Sequence, residues 1–393
     1  MPSSILIETV VDVQEFAALQ NEWNDLLARS ASSSITLTWE WMFTWWEVFG
    51  EGRQLAILLA RAGERLVGIA PLQRRRVREL GLSFQRIEFL ATGEDEADEI
   101  CSDYLDFIIE PGCEIDVLGA FGRYLTDIAA VKWDEMILES ILADSPALGA
   151  ARQAFAHGEY RFSEQSRTPS VVIRLPDNWE KFLMALSKKM RFRVRRHRRL
   201  IAEKGPVSFQ RVITAAELAE FFPRFIDLHQ RWWLSRGKPG CFASPRFTVF
   251  HQQVSRRLCD CGLLDLYGLS VADQLVAARY CFHFKGRMFD YQTGVDPAFD
   301  PRIGVGVECT GYCLEDAIQR GFKEYDFGGG TQAYKLRWTD QLQNTVNVRI
   351  ARCSWKESIY STLVSARTAL RTLKHRLRPA TSATLIPAGT KEE

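Results

Sequence analysis

This 393-residue chain contains no run approaching eighteen consecutive apolar residues, so no membrane-spanning helix is expected. Its first residues, MPSSILIETVVDVQEF, have neither a basic start nor a long apolar stretch, and no secretory leader is read there. There is no G-x-S-x-G elbow, no H-E-x-x-H pair and no Walker A loop. Histidine is scarce: the six present (His157, His197, His229, His251, His283, His375) show no metal-ligand spacing, so no metal site is expected. The nine cysteines are odd in number and irregular in spacing. Cys259 with Cys261, and Cys309 with Cys313, lack a second pair at zinc spacing, which points to reduced, buried thiols in a cytoplasmic protein.

What is present describes a soluble α/β protein of two domains, with 46% hydrophobic and 25% charged residues. The net charge of +1 hides a strong polarity. Residues 1–165 hold 13 Lys and Arg against 28 Asp and Glu, whereas the remainder holds 37 against 21. The basic half would attract a polyanion such as a CoA ester, a nucleotide-sugar, an aminoacyl-tRNA or a membrane surface; alternatively, the excess is spread over solvated helix faces and the tail.

Along the chain, VQEFAALQNEWNDLLARS has helical apolar spacing. WEWMFTWWEVFG follows with four tryptophans (Trp39, Trp41, Trp45, Trp46), either a helix packed at a core or junction or the wall of a groove. RQLAILLARAGERLVGIAPLQRRRV predicts two strands joined by a tight turn. The acidic loop TGEDEADEICSD separates two further strand signals, FQRIEFLA and YLDFIIEP. The second half repeats part of this plan. Placing RAGERLVGIAPL over SVADQLVAARYC sets Leu66 and Val67 over Leu275 and Val276, which suggests an internal repeat. The expected organisation is a lobe over 1–165, a second over 166–353 with a basic helix at 186–204, an amphipathic basic helix at 354–378 and a disordered tail at 379–393. The basic helix carries an apolar seam of Leu186, Met190, Val194, His197 and Ile201. The C-terminal helix has a narrow apolar stripe that suits packing on its own domain or a partner chain, or peripheral membrane contact through 356–378.

Two stretches could carry chemistry. In DPRIGVGVE, Arg302, Gly304, Val305 and Gly306 follow a strand and open a helix, where backbone N–H groups can cradle an anion. In EYDFGGGTQAYKLRW, an apolar strand runs into three glycines ahead of Tyr334, Lys335 and Arg337.

The series TPSVVIRL, WEKFLMALSKKMRFRVRRHRRLIAEKG, LHQRWWLSRGKPGCF and YDFGGGTQAYKLRW, in this order, resembles the FemAB-like branch of the GNAT superfamily. The resemblance is greatest to bacterial acetyltransferase-domain proteins labelled as cellulose-biosynthesis (CelD-like), and it covers roughly residues 15–355. The family pattern D-F-x-x-G-x-x-x-Y-K-x-x-[WF] falls on Asp326, Phe327, Gly330, Tyr334, Lys335 and Trp338. Gly328 and Gly329 stand where a larger residue and Arg are frequent, and Pro301 stands where Gln or Arg usually precedes the Gly-x-Gly turn.

The resemblance implies two tandem GNAT-like lobes and acyl or aminoacyl transfer to an amine. The donor would be acetyl-CoA or another acyl-CoA as co-substrate, with no tightly bound cofactor. A small-molecule amine or amino-sugar would accept, and exopolysaccharide or envelope metabolism is a setting. The pyrophosphate would lie at Arg302, Gly304, Val305 and Gly306. Lys335 would hold a phosphate, a carboxylate or the developing oxyanion, and Tyr334 or Asp326 would move a proton. Tyr291, His229, Arg231, Trp232, Arg337, Arg191 and Arg195 are candidate substrate contacts. Each also has a structural reading, as a turn cap, an interior side chain or a solvated charge. An aminoacyl-tRNA-dependent Fem-type ligase and a non-catalytic accessory protein of polysaccharide assembly are the alternatives. DNA is not an expected partner, and tRNA ranks behind CoA. A cytoplasmic location, with peripheral contact at the inner membrane face, is expected.

Overall fold

The computed structural model describes residues 5–127, 132–155 and 158–377; the tail assigned to 379–393 lies outside them. The first part of the chain forms β1 (Ile5–Val10), α1 (Val13–Ala18), α2 (Gln20–Arg29), α3 (Trp39–Phe49), β2 (Gln54–Leu55), β3 (Ile57–Ala62) and β4 (Arg65–Ala70). It continues with β5 (Leu72–Glu79), β6 (Leu82–Phe89), β7 (Ile108–Ile109), α4 (Glu114–Asp127), β8 (Glu135–Leu142), α5 (Pro146–Phe155) and β9 (Tyr160–Ser166). Pro71, which has no N–H to give to a ladder, divides β4 from β5.

The second part forms β10 (Ser170–Arg174), α6 (Trp179–Ala185), α7 (Lys188–Ala202), β11 (Val207–Val212), α8 (Ala215–Leu234), α9 (Pro245–Asp260), β12 (Leu264–Val271) and β13 (Gln274–Phe284). Then come β14 (Arg287–Val295), α10 (Val305–Gln319), β15 (Glu324–Gly329), α11 (Ala333–Leu336), β16 (Leu342–Gln343), β17 (Thr345–Arg352) and α12 (Trp355–Leu377). The result is mixed α/β, with a seven-stranded sheet in the second lobe (order β11-β12-β13-β14-β15-β10-β16). The first lobe has two sheets, β1-β3-β4-β7 and β2-β5-β6-β8-β17-β9.

The alignment of Leu66 and Val67 with Leu275 and Val276 has a counterpart in the ladders. In the β3–β4 hairpin, Arg61 pairs with Leu66 and Ala60 with Gly68, so Val67 is skipped. In the β12–β13 hairpin, Ser270 pairs with Leu275 and Leu269 with Ala277, so Val276 is skipped. Both hairpins bulge at the same aligned residue, which re-aims the strand that follows. Each lobe then places a helix ahead of a parallel strand: α4 before β8, which pairs with β6, and α10 before β15, which pairs with β14. In the first lobe the chain leaves the six-stranded sheet at Phe89 and enters the four-stranded one at Ile108, and the acidic loop lies in the interval.

The lobes share one apolar core, to which α3 is central. Trp41 is fully buried and meets Phe250, Phe282 and Tyr291 of the second lobe edge-on, at 5.1, 5.6 and 5.9 Å. Its Nε1 donates to Ser102 Oγ at 3.0 Å, so the indole is satisfied. Contacts of this kind add about 0.5–1.5 kcal/mol each beyond area burial. The tryptophan-rich segment is therefore a junction between the lobes.

The basic helix forms as α7, with Ser187 capping Met190 N–H at 3.2 Å and Met190, Val194, His197 and Ile201 buried along one seam. β17 falls within the 166–353 expected for the second lobe but hydrogen-bonds between β8 and β9 of the first, so the strands of the second-lobe sheet end at β16. The start of α12 is fastened to that sheet: buried Glu357 accepts from Arg349 (3.0 and 2.6 Å), and Tyr360 donates to Glu79 at 2.9 Å. Among the described residues no helix is long and apolar enough to cross a membrane.

Candidate functional site

β14 and β15 run parallel for three residue pairs only, Arg287 with Glu324 to Phe289 with Asp326. Beyond that point β14 stays paired with β13 as far as Val295, past a bulge that skips Tyr291, and among the described residues no strand pairs with its other edge from Asp290 onward. The sheet thus opens between its two parallel strands. Strand alternation in β15 sends Tyr325 and Phe327 into the core beneath α10 and turns Asp326 to the opposite face, toward the first lobe.

The glycine turn closes the end of β15. Gly328 (φ +68) and Gly330 (φ +93) occupy the left-handed region that favours glycine. Three side chains hold the turn. Asp326 Oδ1 accepts from Gly328 N–H at 2.7 Å, and its Oδ2 accepts from Arg287 Nη2 at 2.7 Å. Lys335 Nζ donates to the carbonyls of Gly328 (3.2 Å) and Gly329 (2.6 Å). Asp103, from the acidic loop of the first lobe, accepts from Gly329 N–H at 3.3 Å.

The site is therefore composite, and Asp103 is the residue the sequence reading missed. Its one visible signal was the acidic loop, which gave no hint of a partner 226 positions away. Ser140 Oγ donates to Asp103 Oδ1 at 3.1 Å. Burial pushes the Asp103 carboxyl above its ordinary value, against the pull of Arg167. Asp290, at the point of divergence, pairs with buried Arg279, and burial raises its carboxyl as well. Lys335 is only 5% exposed. Burial lowers its pKa, opposed by Asp290, Asp326 and Asp103. A lysine and carboxylates whose proton affinities are shifted toward one another form an acid–base cluster.

The other candidates are distributed around this centre. Tyr334 is 41% exposed and lies edge-on to Phe327. Tyr291 belongs to the lobe junction, donating to Ile100 O at 2.6 Å and meeting His251 Nε2 at 2.9 Å. His229 is fully buried on α8, with Nε2 3.2 Å from Gln292 Oε1, and burial lowers its pKa. Arg231 is tied to Asp227 (2.9 Å) and Asp296 (3.4 Å), and Trp232 lies under the Arg236 guanidinium at 3.9 Å. Arg191 reaches Met184, and Arg195 is exposed 3.9 Å from Glu180; both lie where α7 meets α6. Arg337 lines a groove with Trp338.

The Gly-x-Gly turn lies beyond the far end of β14. Gly306 packs toward Val295, and a Cβ on Gly304 would stand 2.8 Å from the His197 ring. Arg302 is exposed and gripped by Asp300 at 2.9 and 2.5 Å. Glu308, in the first turn of α10, is fully buried 3.5 Å from Arg198. Burial outweighs that cation and pushes Glu308 up to about 8.

Residues 188–336 match the family described as "Acetyltransferase (GNAT) domain". No curated protein matches the chain in sequence. Its fold is similar to that of FemX, at a TM-score of 0.62 and 10% identity over 90% of this chain and 99% of that one. It is also similar to the C-terminal domain of a putative lysylphosphatidylglycerol synthetase from Agrobacterium fabrum (TM-score 0.53, 9% identity, 89% and 96% covered). L-PGS from Bacillus licheniformis is similar at a TM-score of 0.53 and 11% identity, with 88% and 96% covered.

Proposed function

We propose that this chain, which has a GNAT/FemAB-like acetyltransferase fold, is an N-acyltransferase with acetyl-CoA or another acyl-CoA as donor and a small amine or amino-sugar as acceptor. The observation that carries the reading is the parting of β14 from β15 beside Asp103, Asp290 and Lys335. An unpaired strand edge offers N–H groups to a carbonyl, and a buried cation stands next to it. Preorganised donors in a poorly solvated site act strongly on a developing oxyanion.

In the proposed reaction the acceptor nitrogen attacks the thioester carbonyl carbon and forms the C–N bond. The amine proton passes to the Asp103 carboxylate, whose raised proton affinity suits it to that task. The oxyanion lies against Lys335 and the free edge of β14. Collapse breaks the C–S bond, and the proton leaves Asp103 for the departing sulfur. Asp326 orients the glycine turn through Gly328 N–H and Arg287. Tyr334, half-exposed at the mouth, would contact the acceptor.

A second reading uses aminoacyl-tRNA as the ester donor, and the solvent-facing arginines of α7 favour it. One experiment separates the two. Melting is followed with millimolar acetyl-CoA and with charged tRNA, alongside thiol release over a panel of amines and amino-sugars. Stabilisation and thiol release with acetyl-CoA support the first reading. An unmoved Tm with acetyl-CoA and no thiol release remove it, and stabilisation by charged tRNA alone moves the assignment to the second.

A further inference from the structure

We propose that Ser140 and Asn347 are positioning residues for Asp103. A bulge in β8, held by the Asn347 side chain, aims the Ser140 hydroxyl at one carboxylate oxygen and leaves the other to the glycine turn. The proposal deepens the acyl-transfer reading and rests on it for the task of Asp103.

Eight non-glycine residues among those described have a left-handed φ, between +46° and +65°. L side chains rarely adopt this conformation, because Cβ crowds the following carbonyl oxygen. Four of them, Leu80, Ala272, Asp273 and Lys285, lie in two-residue hairpin loops, whose turns require it. Hairpin geometry does not account for the other four. Ala91, Cys101 and Tyr104 belong to the segment between β6 and β7, and Ser140 sits inside β8. Cys101 and Tyr104 stand on either side of Asp103 in sequence, and Ser140 touches its carboxylate. Backbone strain gathered around one side chain points to a geometry that its surroundings enforce.

In the β8–β17 ladder Val346 pairs with Ile141 and Val348 with Leu138, so Glu139 and Ser140 together oppose Asn347. Such a two-for-one bulge re-aims a side chain and leaves an N–H outside the ladder. Asn347 Oδ1 accepts the N–H of Ser140 at 3.0 Å, so the buried bulge has no orphaned donor there. Glycine would fill φ +62 with less strain. Serine adds a hydroxyl, fully buried, which donates to Asp103 Oδ1 at 3.1 Å. Asp103 Oδ2 is left for Gly329 N–H, and the Asp103 carbonyl is held by Ser34 and Thr36. The Tyr104 ring lies 4.7 Å from the Arg287 guanidinium, which binds Asp326 Oδ2. The Asp103 carboxylate is therefore fixed at both oxygens and at its backbone before any substrate arrives. A proton acceptor held in this way needs no reorientation at the moment of transfer.

The test compares Ser140→Gly, Asn347→Ala and the double variant with the unmodified protein. Thiol release from acetyl-CoA is measured against pH with the best amine of the panel, and the Asp103 carboxyl is titrated by NMR of its carboxyl carbon. The charged and titratable groups facing Asp103 (Arg167 at 4.0 Å, Asp326, Lys335, Cys101 and Tyr104) are kept in every variant. Ser140→Gly relieves the backbone and removes one hydrogen bond, so Tm should change little while kcat falls about 10–10²-fold. Loss of a donor to the carboxylate raises its proton affinity. The Asp103 titration and the acid limb of the rate profile should both move to higher pH. Asn347→Ala should act in the same direction, and the double variant should lose little beyond the larger single effect, because both act through one bulge. The proposal is overturned if Ser140→Gly leaves the Asp103 titration and kcat unchanged. It is equally overturned if kcat falls while neither pH curve moves, which would make the bulge a structural feature alone. A displaced titration with unchanged kcat would leave the clamp standing and remove Asp103 as the base. If no amine accepts the acyl group, the transferase reading fails and the titration alone decides the clamp. Multiplying effects in the double variant would remove Asn347 from the proposal.

Discussion

The Asp103 carboxylate of the first lobe accepts the Gly329 N–H of the second at 3.3 Å, while the Asp103 carbonyl accepts from Ser34 (3.0 Å) and Thr36 (2.7 Å) of its own lobe. One residue thus joins the glycine turn to the acidic half of the molecule. Asp103→Asn keeps one acceptor oxygen, for Gly329 N–H, and its NH2 can donate to Ser140 Oγ in place of the second oxygen, but it cannot take a proton. The variant should melt within a few degrees of the unmodified protein and lose about 10²–10⁴ in kcat. A kcat within fivefold of normal would remove Asp103 as the base.

Lys335→Met tests the buried cation at nearly constant volume. It removes the two bonds to the turn carbonyls together with an ammonium that burial already disfavours, so the stability effects partly offset. Activity should fall by about 10²–10³ in kcat, in line with loss of an oxyanion-stabilising group. Retained activity would reduce Lys335 to a turn clamp.

Glu308 predicts a pH signature that belongs to stability rather than catalysis. Its carboxyl is raised from 4.5 to about 8, so between those values the folded state holds a proton that the unfolded chain has released. Its contribution to stability is complete below about 4.5, erodes as pH rises and is gone above about 8. The groups facing it are Arg198 on α7 and Glu315 on α10, themselves paired at 2.8 Å. Glu308→Gln should therefore flatten the decline in Tm between pH 5 and 8. Parallel profiles for the two proteins would show that Glu308 ionises normally.

The docked start of α12 leaves Ile359 and Leu363 44% and 41% exposed. If this stripe contacts membrane, the full chain should sediment with anionic vesicles, and Ile359→Glu/Leu363→Glu should lower the bound fraction severalfold. Equal sedimentation of both proteins would assign the stripe to another surface.

Local patterning carried the elements well, because period and caps are written in neighbouring residues. The α7 seam followed from three- and four-residue steps, and the Val67 and Val276 bulges were foreshadowed by one short alignment. Contacts between distant segments were not legible. Strand β17 reads like any alternating strand, and nothing in its residues names β8 and β9 as partners. The same holds for Asp103, whose role depends on a turn in the other lobe. Lys335 was legible as a functional candidate from its motif, but its burial and its grip on the glycine carbonyls were not.

The path of β17 also has a consequence for biosynthesis. The N–H of Arg167 donates to Thr345 O at 3.0 Å, so the chain enters and leaves the second lobe through adjacent, hydrogen-bonded positions. On a ribosome, which extends the chain from its N-terminus, the facing edges of β8 and β9 must wait for residues 345–352, made after the whole second lobe. For that interval the nascent protein presents two unpaired strand edges, each a template for pairing with another chain. Slow translation through the second lobe would lengthen that exposure, and a chaperone that shields open edges would be needed most there.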